Sequence, residues 1–72
     1  MQDSLVTQQA WSLRRSITRA QISLDQLWAH YISLGGDAAR FDVDAYLQRS
    51  LHLPRFPRNL LDYAAQELIT DQ

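Results

Sequence analysis

The sequence predicts an all-α protein, a small bundle of three to four short helices, and three observations predict it. Apolar residues recur every three to four positions, the spacing that gathers side chains on one flank of a helix, and they do not alternate as a half-buried strand requires. The only two glycines are adjacent, Gly35 and Gly36, and the only two prolines, Pro54 and Pro57, are three apart, so the periodic stretches are divided at two points. The chain has 72 residues and is 46% hydrophobic, which makes one domain with a real core and argues against disorder.

The first helix is expected over residues 4–21. Val6, Ala10, Leu13, Ile17 and Ala20 fall in one stripe of that helix. The second is expected over residues 24–34. Ser23 and Gln26 have the spacing of a capping box, and Ile22 and Leu27 flank it as a hydrophobic staple. Asp25 sits in the first turn, where the helix dipole favours negative charge. Leu24, Leu27, Trp28, Tyr31 and Ile32 form the apolar face, and Gly35 supplies the left-handed residue that closes the helix. The alternative is one long rod in which the first two helices fuse through Ile22 and Ser23.

The third helix is expected to begin between Asp37 and Asp42. With Asp42 as its cap, Phe41 and Tyr46 take the staple positions. Val43, Tyr46, Leu47 and Leu51 make its apolar face, and it stops before Pro54 because a residue preceding proline avoids helical dihedrals. The fourth is expected from near Pro57, which suits a first helical position, to about Thr70, with Leu60, Leu61, Ala64 and Leu68 inward and Tyr63 on the flank. The short connections at Gly35–Gly36 and at 53–56 predict that the helices they join pack on each other. The whole chain reads as a single helical domain, residues 23–72 forming its core and residues 1–22 an N-terminal helix able to stand out as an arm.

Composition excludes several classes. A chain this short buries only ~60% of the surface it exposes when unfolded. There is no cysteine to add disulfides and only two histidines, so stability comes from apolar packing, within the chain or shared with a second one. The net charge of −1 selects no anionic partner globally. No apolar run approaches the ~20 residues needed to cross a bilayer, and the first residues lack the basic start and apolar core of a signal peptide. The expectation is a cytoplasmic protein that is not an enzyme, with no catalytic residue, no metal and no cofactor.

The groups that could carry chemistry have plainer readings. Asp42 and Asp44, with Asp37 near, could bind a divalent cation, but two residues apart they share no helix face, and carboxylates at a helix start already suit the dipole. His30 borders the core of helix two, and His52 falls at the end of helix three, where imidazolium suits the carbonyl end. No nucleophile elbow or phosphate-cradling loop is present. Pro54-Arg55-Phe56-Pro57 matches P-x-x-P, though a helix stop followed by a helix start accounts for it. A helix-turn-helix reading would send helix three into the major groove with Asp42 and Asp44 facing phosphates, which disfavours it.

Trp11 is the most informative residue. It falls on the side of helix one away from the apolar stripe, among Thr7, Gln8, Arg15 and Thr18. A tryptophan left outside marks a contact, and tryptophan with arginine is the usual make-up of interface hot spots. Arg15 lies one turn on and can stack on the indole. The bland reading is that Trp11 folds back over a core edge. Trp11, Arg14, Arg15 and Arg19 are therefore the expected partner-binding residues, the partner being another protein or a second copy in a homodimer. The alternative is a nucleic acid held by the same arginines.

The stretch LDQLWAHYISLGGDAARFDVDAYLQRSLHLP resembles small uncharacterised all-helical actinobacterial proteins. These carry a LDxLWxxYxxLGG block, an acidic-apolar helix containing AYL, a Leu-Pro break and a last amphipathic helix. The matching positions are Leu24, Asp25, Leu27, Trp28, Tyr31, Leu34, Gly35, Gly36, Ala45, Tyr46, Leu47, Leu53 and Pro54. The resemblance covers about two thirds of the chain and leaves out helix one. It implies architecture and no activity. One departure is Arg40, which stands where the pattern places a proline at a helix start.

Overall fold

A computed structural model describes residues 4–71, with side chains from residue 8 onward, so Val6 and Thr7 of the first helix lie outside the described side chains. The described residues form four helices and no strand: α1 (Ser4–Arg19), α2 (Leu24–Ser33), α3 (Arg40–Leu47) and α4 (Arg55–Thr70).

α1 and α2 are separate helices and not one rod. The break sits at Gln21, whose φ of 60° is left-handed. Gln21 N–H donates to the Thr18 carbonyl and Ile22 N–H to the Ile17 carbonyl, the paired bonds of a Schellman motif, and buried Ile17 and Ile22 supply its apolar contact. The same device closes α2 at Gly35, with Gly36 N–H on the Tyr31 carbonyl, and α3 at Arg49, with Ser50 N–H on the Ala45 carbonyl. Only one of the three left-handed positions is a glycine. The other two place a side chain where a left-handed residue costs roughly 1–2 kcal/mol, offset at both by the satisfied amides and at Gln21 also by the apolar contact. Glycine therefore announces only the middle break.

α2 begins as its sequence predicts, while Ile32, expected on its apolar face, is exposed because Leu27 and Tyr31 set the buried side. Ser23 Oγ accepts from Gln26 N–H at 3.1 Å, and Gln26 Oε1 accepts from Ser23 N–H at 2.8 Å, a complete capping box. α3 departs from expectation at both ends. Its cap is Ala39, without a side-chain bond, so Arg40 is the first helical residue and Asp42 lies within the first turn. Arg40 thus occupies the position proline favours, and its guanidinium pairs with Asp25, tying the starts of α3 and α2 together. Phe41 is no staple: it is 79% exposed. α3 ends at Leu47 rather than near Pro54, because Arg49 turns the chain, and this leaves Leu51 and His52 in an irregular, exposed segment. α4 starts at Arg55 rather than Pro57. Pro57 falls on the third helical position, still among the residues whose N–H has no intrahelical acceptor, and Pro54 is the cap.

The core is formed by Ala10, Leu13 and Ile17 of α1, Ile22 before α2, Leu27 and Tyr31 of α2, Val43, Tyr46 and Leu47 of α3, and Leu61, Ala64 and Ala65 of α4. α1 is thus part of the common interior. α4 packs on α1 and α2, and α3 packs on α1 and α2, so the four helices close a ring in the order α1, α4, α2, α3. The connection at Gly35–Gly36 joins helices that pack together, as expected. The one before α4 does not: α3 and α4 sit diagonally. Arg49, left-handed at a φ of 62°, turns residues 48–54 out of the line of α3, and the chain crosses to the far side of the ring instead of folding back.

Tyr31 organises the α2–α3 turn. Its ring is fully buried, and its hydroxyl accepts from the N–H groups of Asp37 and Ala38 at 3.2 and 3.0 Å. Trp28 Nε1 donates to the Ala38 carbonyl at 3.0 Å. Gly36 passes so close to the Tyr31 ring that a Cβ there would overlap ring carbons. The tryptophan, tyrosine and second glycine of the LDxLWxxYxxLGG block thus have one structural task, holding this loop over α2.

Candidate interaction surfaces

The first surface lies on α1. Core packing uses Ala10, Leu13 and Ile17, which turns Trp11 outward at 48% exposure. The Arg15 guanidinium carbon stands 5.3 Å from the indole centroid, within cation–π range. Trp11, Arg14, Arg15, Thr18 and Arg19 line a shallow groove of about 620 Å³. α1 carries three arginines and no carboxylate. The two ion pairs among the described residues, His30–Glu67 and Arg40–Asp25, engage none of them. The face is locally cationic although the chain as a whole is not.

The second surface, on α4, was not anticipated from the sequence beyond a flank position for Tyr63. Arg55, Phe56, Asn59, Leu60 and Tyr63 line a groove of about 450 Å³, with Phe56 64% and Tyr63 56% exposed. Helical spacing would have shown it: 56, 59 and 63 share a flank turned away from Leu61, Ala64 and Ala65, and Leu60, expected inward, is half-buried at the boundary, packed on the core and lining the groove.

Between these surfaces, polar side chains tie the helices. Gln9 Nε2 donates to Asp62 at 2.6 Å and to Asn59 at 3.2 Å, and Gln9 Oε1 accepts from Arg58 at 3.3 Å. Burial raises the Asp62 carboxyl, with Gln9 and Arg58 pulling the other way. A raised carboxyl favours folding at acid pH and loses that contribution as pH rises through its folded value. Burial, and then the Asp62 charge, push the Tyr46 hydroxyl up to about 12. The Tyr46 hydroxyl and Arg58 Nε are buried with no hydrogen-bond partner among the described residues.

On the other side of α4, His30 Nε2 donates to Glu67 at 2.8 Å, linking α2 to α4. This bond, and then one from Tyr63, hold the Glu67 carboxyl below its ordinary value. A depressed carboxyl contributes stability above its unfolded value and loses it as pH falls through its folded value. Replacing Glu67 with glutamine is therefore expected to flatten the acid side of a plot of melting temperature against pH. An acid limb as steep as that of the unaltered chain would refute the assignment.

His30 is half-buried beside the core, and the P-x-x-P tetrad is a helix cap and first turn, not an extended segment. Asp37, Asp42 and Asp44 form no common site: among the described residues no group of three or more His, Asp or Glu side chains could share a metal ion. No helix of the described residues is long and apolar enough to cross a membrane. Comparison of the chain with protein-family models, curated proteins and solved structures finds no match.

Proposed function

We propose that the protein is a non-enzymatic interaction module of the cytoplasm that docks a partner protein along the Trp11 side of α1. One observation carries this reading: a half-exposed indole under a stacked arginine, in a groove whose only charged groups are Arg14, Arg15 and Arg19. Leaving an indole in water forgoes the burial a core position would give it, and a partner's apolar side chain restores that burial. The arginines add orientation and on-rate toward a partner of opposite sign. The face therefore fits an acidic amphipathic segment, apolar toward Trp11 and carboxylate-bearing toward the arginines.

The probe is a synthetic amphipathic helix with leucine on one face and glutamate on the other, titrated against its lysine counterpart. The glutamate peptide is expected to bind and the lysine peptide not. Trp11→Ala should weaken binding about 30-fold, a hot-spot effect, with an unchanged circular dichroism spectrum. Equal binding of both peptides, or indifference to Trp11→Ala, would reject the surface. A nucleic-acid reading draws on the same groove, since an exposed indole beside arginines is a stacking platform for single-stranded bases. An oligonucleotide that outcompetes the acidic peptide, with a steep salt dependence, would assign the face to nucleic acid instead.

A further inference from the structure

We infer that the outer ridge of α4 is a self-pairing surface, by which two copies of the chain associate antiparallel about a twofold axis that crosses the ridge midway between Asn59 and Tyr63. Arg55, Asn59, Tyr63 and Glu67 are spaced four apart and form one row along α4, exposed at Arg55, Asn59 and Tyr63 and half-buried at Glu67, where it meets His30 of α2. Read in reverse, this row is its own complement. About a centre at residue 61, Arg55 meets Glu67 of the second copy and Asn59 meets Tyr63, each pair occurring twice.

The chemistry of each position agrees. Arg55 takes part in neither of the two ion pairs among the described residues. Glu67 is only partly covered by His30. Asn59 Oδ1 accepts from Gln9, which leaves its Nδ2–H groups as donors, and the Tyr63 hydroxyl, bonded to Glu67, has lone pairs to accept them. Phe56 and Leu60 flank the row and supply the apolar area. Rows spaced by four on two helices interdigitate at a crossing near 50°, the commonest helix packing in globular proteins. Antiparallel pairing also opposes the helix dipoles.

The alternative self-association, α1 on α1, brings two sets of three arginines together with no carboxylate between them, an arrangement of like charges that costs affinity. α4 offers balanced charge and the more exposed aromatics, Phe56 and Tyr63. The pairing is independent of the docking proposed for α1.

Light-scattering mass is the readout. The unaltered chain is expected to rise from 8.3 kDa toward twice that between micromolar and millimolar concentration. Arg55→Glu, which sets carboxylates against Glu67 at both ends, is expected to hold the chain monomeric. The double variant Arg55→Glu with Glu67→Arg re-forms both ion pairs and should regain the dimer. Phe56→Ser, at an exposed position that spares the fold, should weaken association roughly tenfold or more, and Trp11→Ala should leave the mass curve unchanged. A chain that stays monomeric up to millimolar concentration overturns the inference. So do an Arg55→Glu variant that still dimerises, a folded double variant that does not, a Phe56→Ser variant with the original affinity, or loss of the dimer in Trp11→Ala.

Discussion

Replacing Tyr31 with alanine is expected to remove most of the cooperative stability of the fold. A chain of 72 residues has roughly 4–11 kcal/mol in hand, and truncating a large buried aromatic costs about 3–5 kcal/mol. For a domain of this size that lowers the melting temperature by roughly 12–40 °C. The loss has two parts, because Tyr31 both fills the core and caps the following loop. Tyr31→Phe separates them. It keeps the ring but strips the acceptor from the Asp37 and Ala38 amides, at about 1–3 kcal/mol. Thermal melts followed by circular dichroism read both variants. A Tyr31→Phe melt superimposable on that of the unaltered chain would remove the loop-capping role, and a Tyr31→Ala melt within a few degrees of it would remove the core role.

Gly36→Ala is expected to destabilise by about 1–3 kcal/mol, the range of an overpacked core site. The new methyl would overlap the Tyr31 ring, which is held on all sides and has nowhere to retreat. Gly35→Ala meets open space, and its cost is backbone strain at a φ of 103°. The two neighbouring glycines thus serve different ends, one conformational and one steric. A double-mutant cycle distinguishes them. In a Tyr31→Leu background the Gly36→Ala penalty should shrink, whereas the Gly35→Ala penalty should persist, because contacting residues couple and a strained dihedral does not. A Gly36→Ala cost that is the same in both backgrounds would show that the ring is not the obstacle.

The features of this molecule that were legible in advance are those governed by local chemistry. The capping box at Ser23 and Gln26 needs only residues three apart, and it formed. The inward positions of α1 and α4 follow from helical period, and Ala10, Leu13, Ile17, Leu61 and Ala64 are buried. The outward turn of Trp11 and the approach of Arg15 follow from the same arithmetic. Less legible were the helix ends at Gln21 and Arg49. A non-glycine residue turns left-handed only when the motif around it compensates: at both ends its own amide and the next one are bonded to earlier carbonyls, and at Gln21 buried Ile17 and Ile22 add an apolar pair. α3 is therefore shorter than its apolar spacing predicts, because Arg49 ends it.

By itself, the amino-acid order determined that this chain is helical, where α2 begins, which flanks are greasy, and that an indole and three arginines share the first helix. Each of these depends on neighbours within one or two turns. Only the tertiary structure decided that α3 lies across from α4 instead of beside it, that Tyr31 reaches over to cap the loop at Asp37 and Ala38, and that the outer ridge of α4 stays uncovered. Those outcomes depend on which flank faces which. Four amphipathic helices of similar greasiness can close their interior in more than one order, and the order is selected by the summed fit of side chains far apart along the chain.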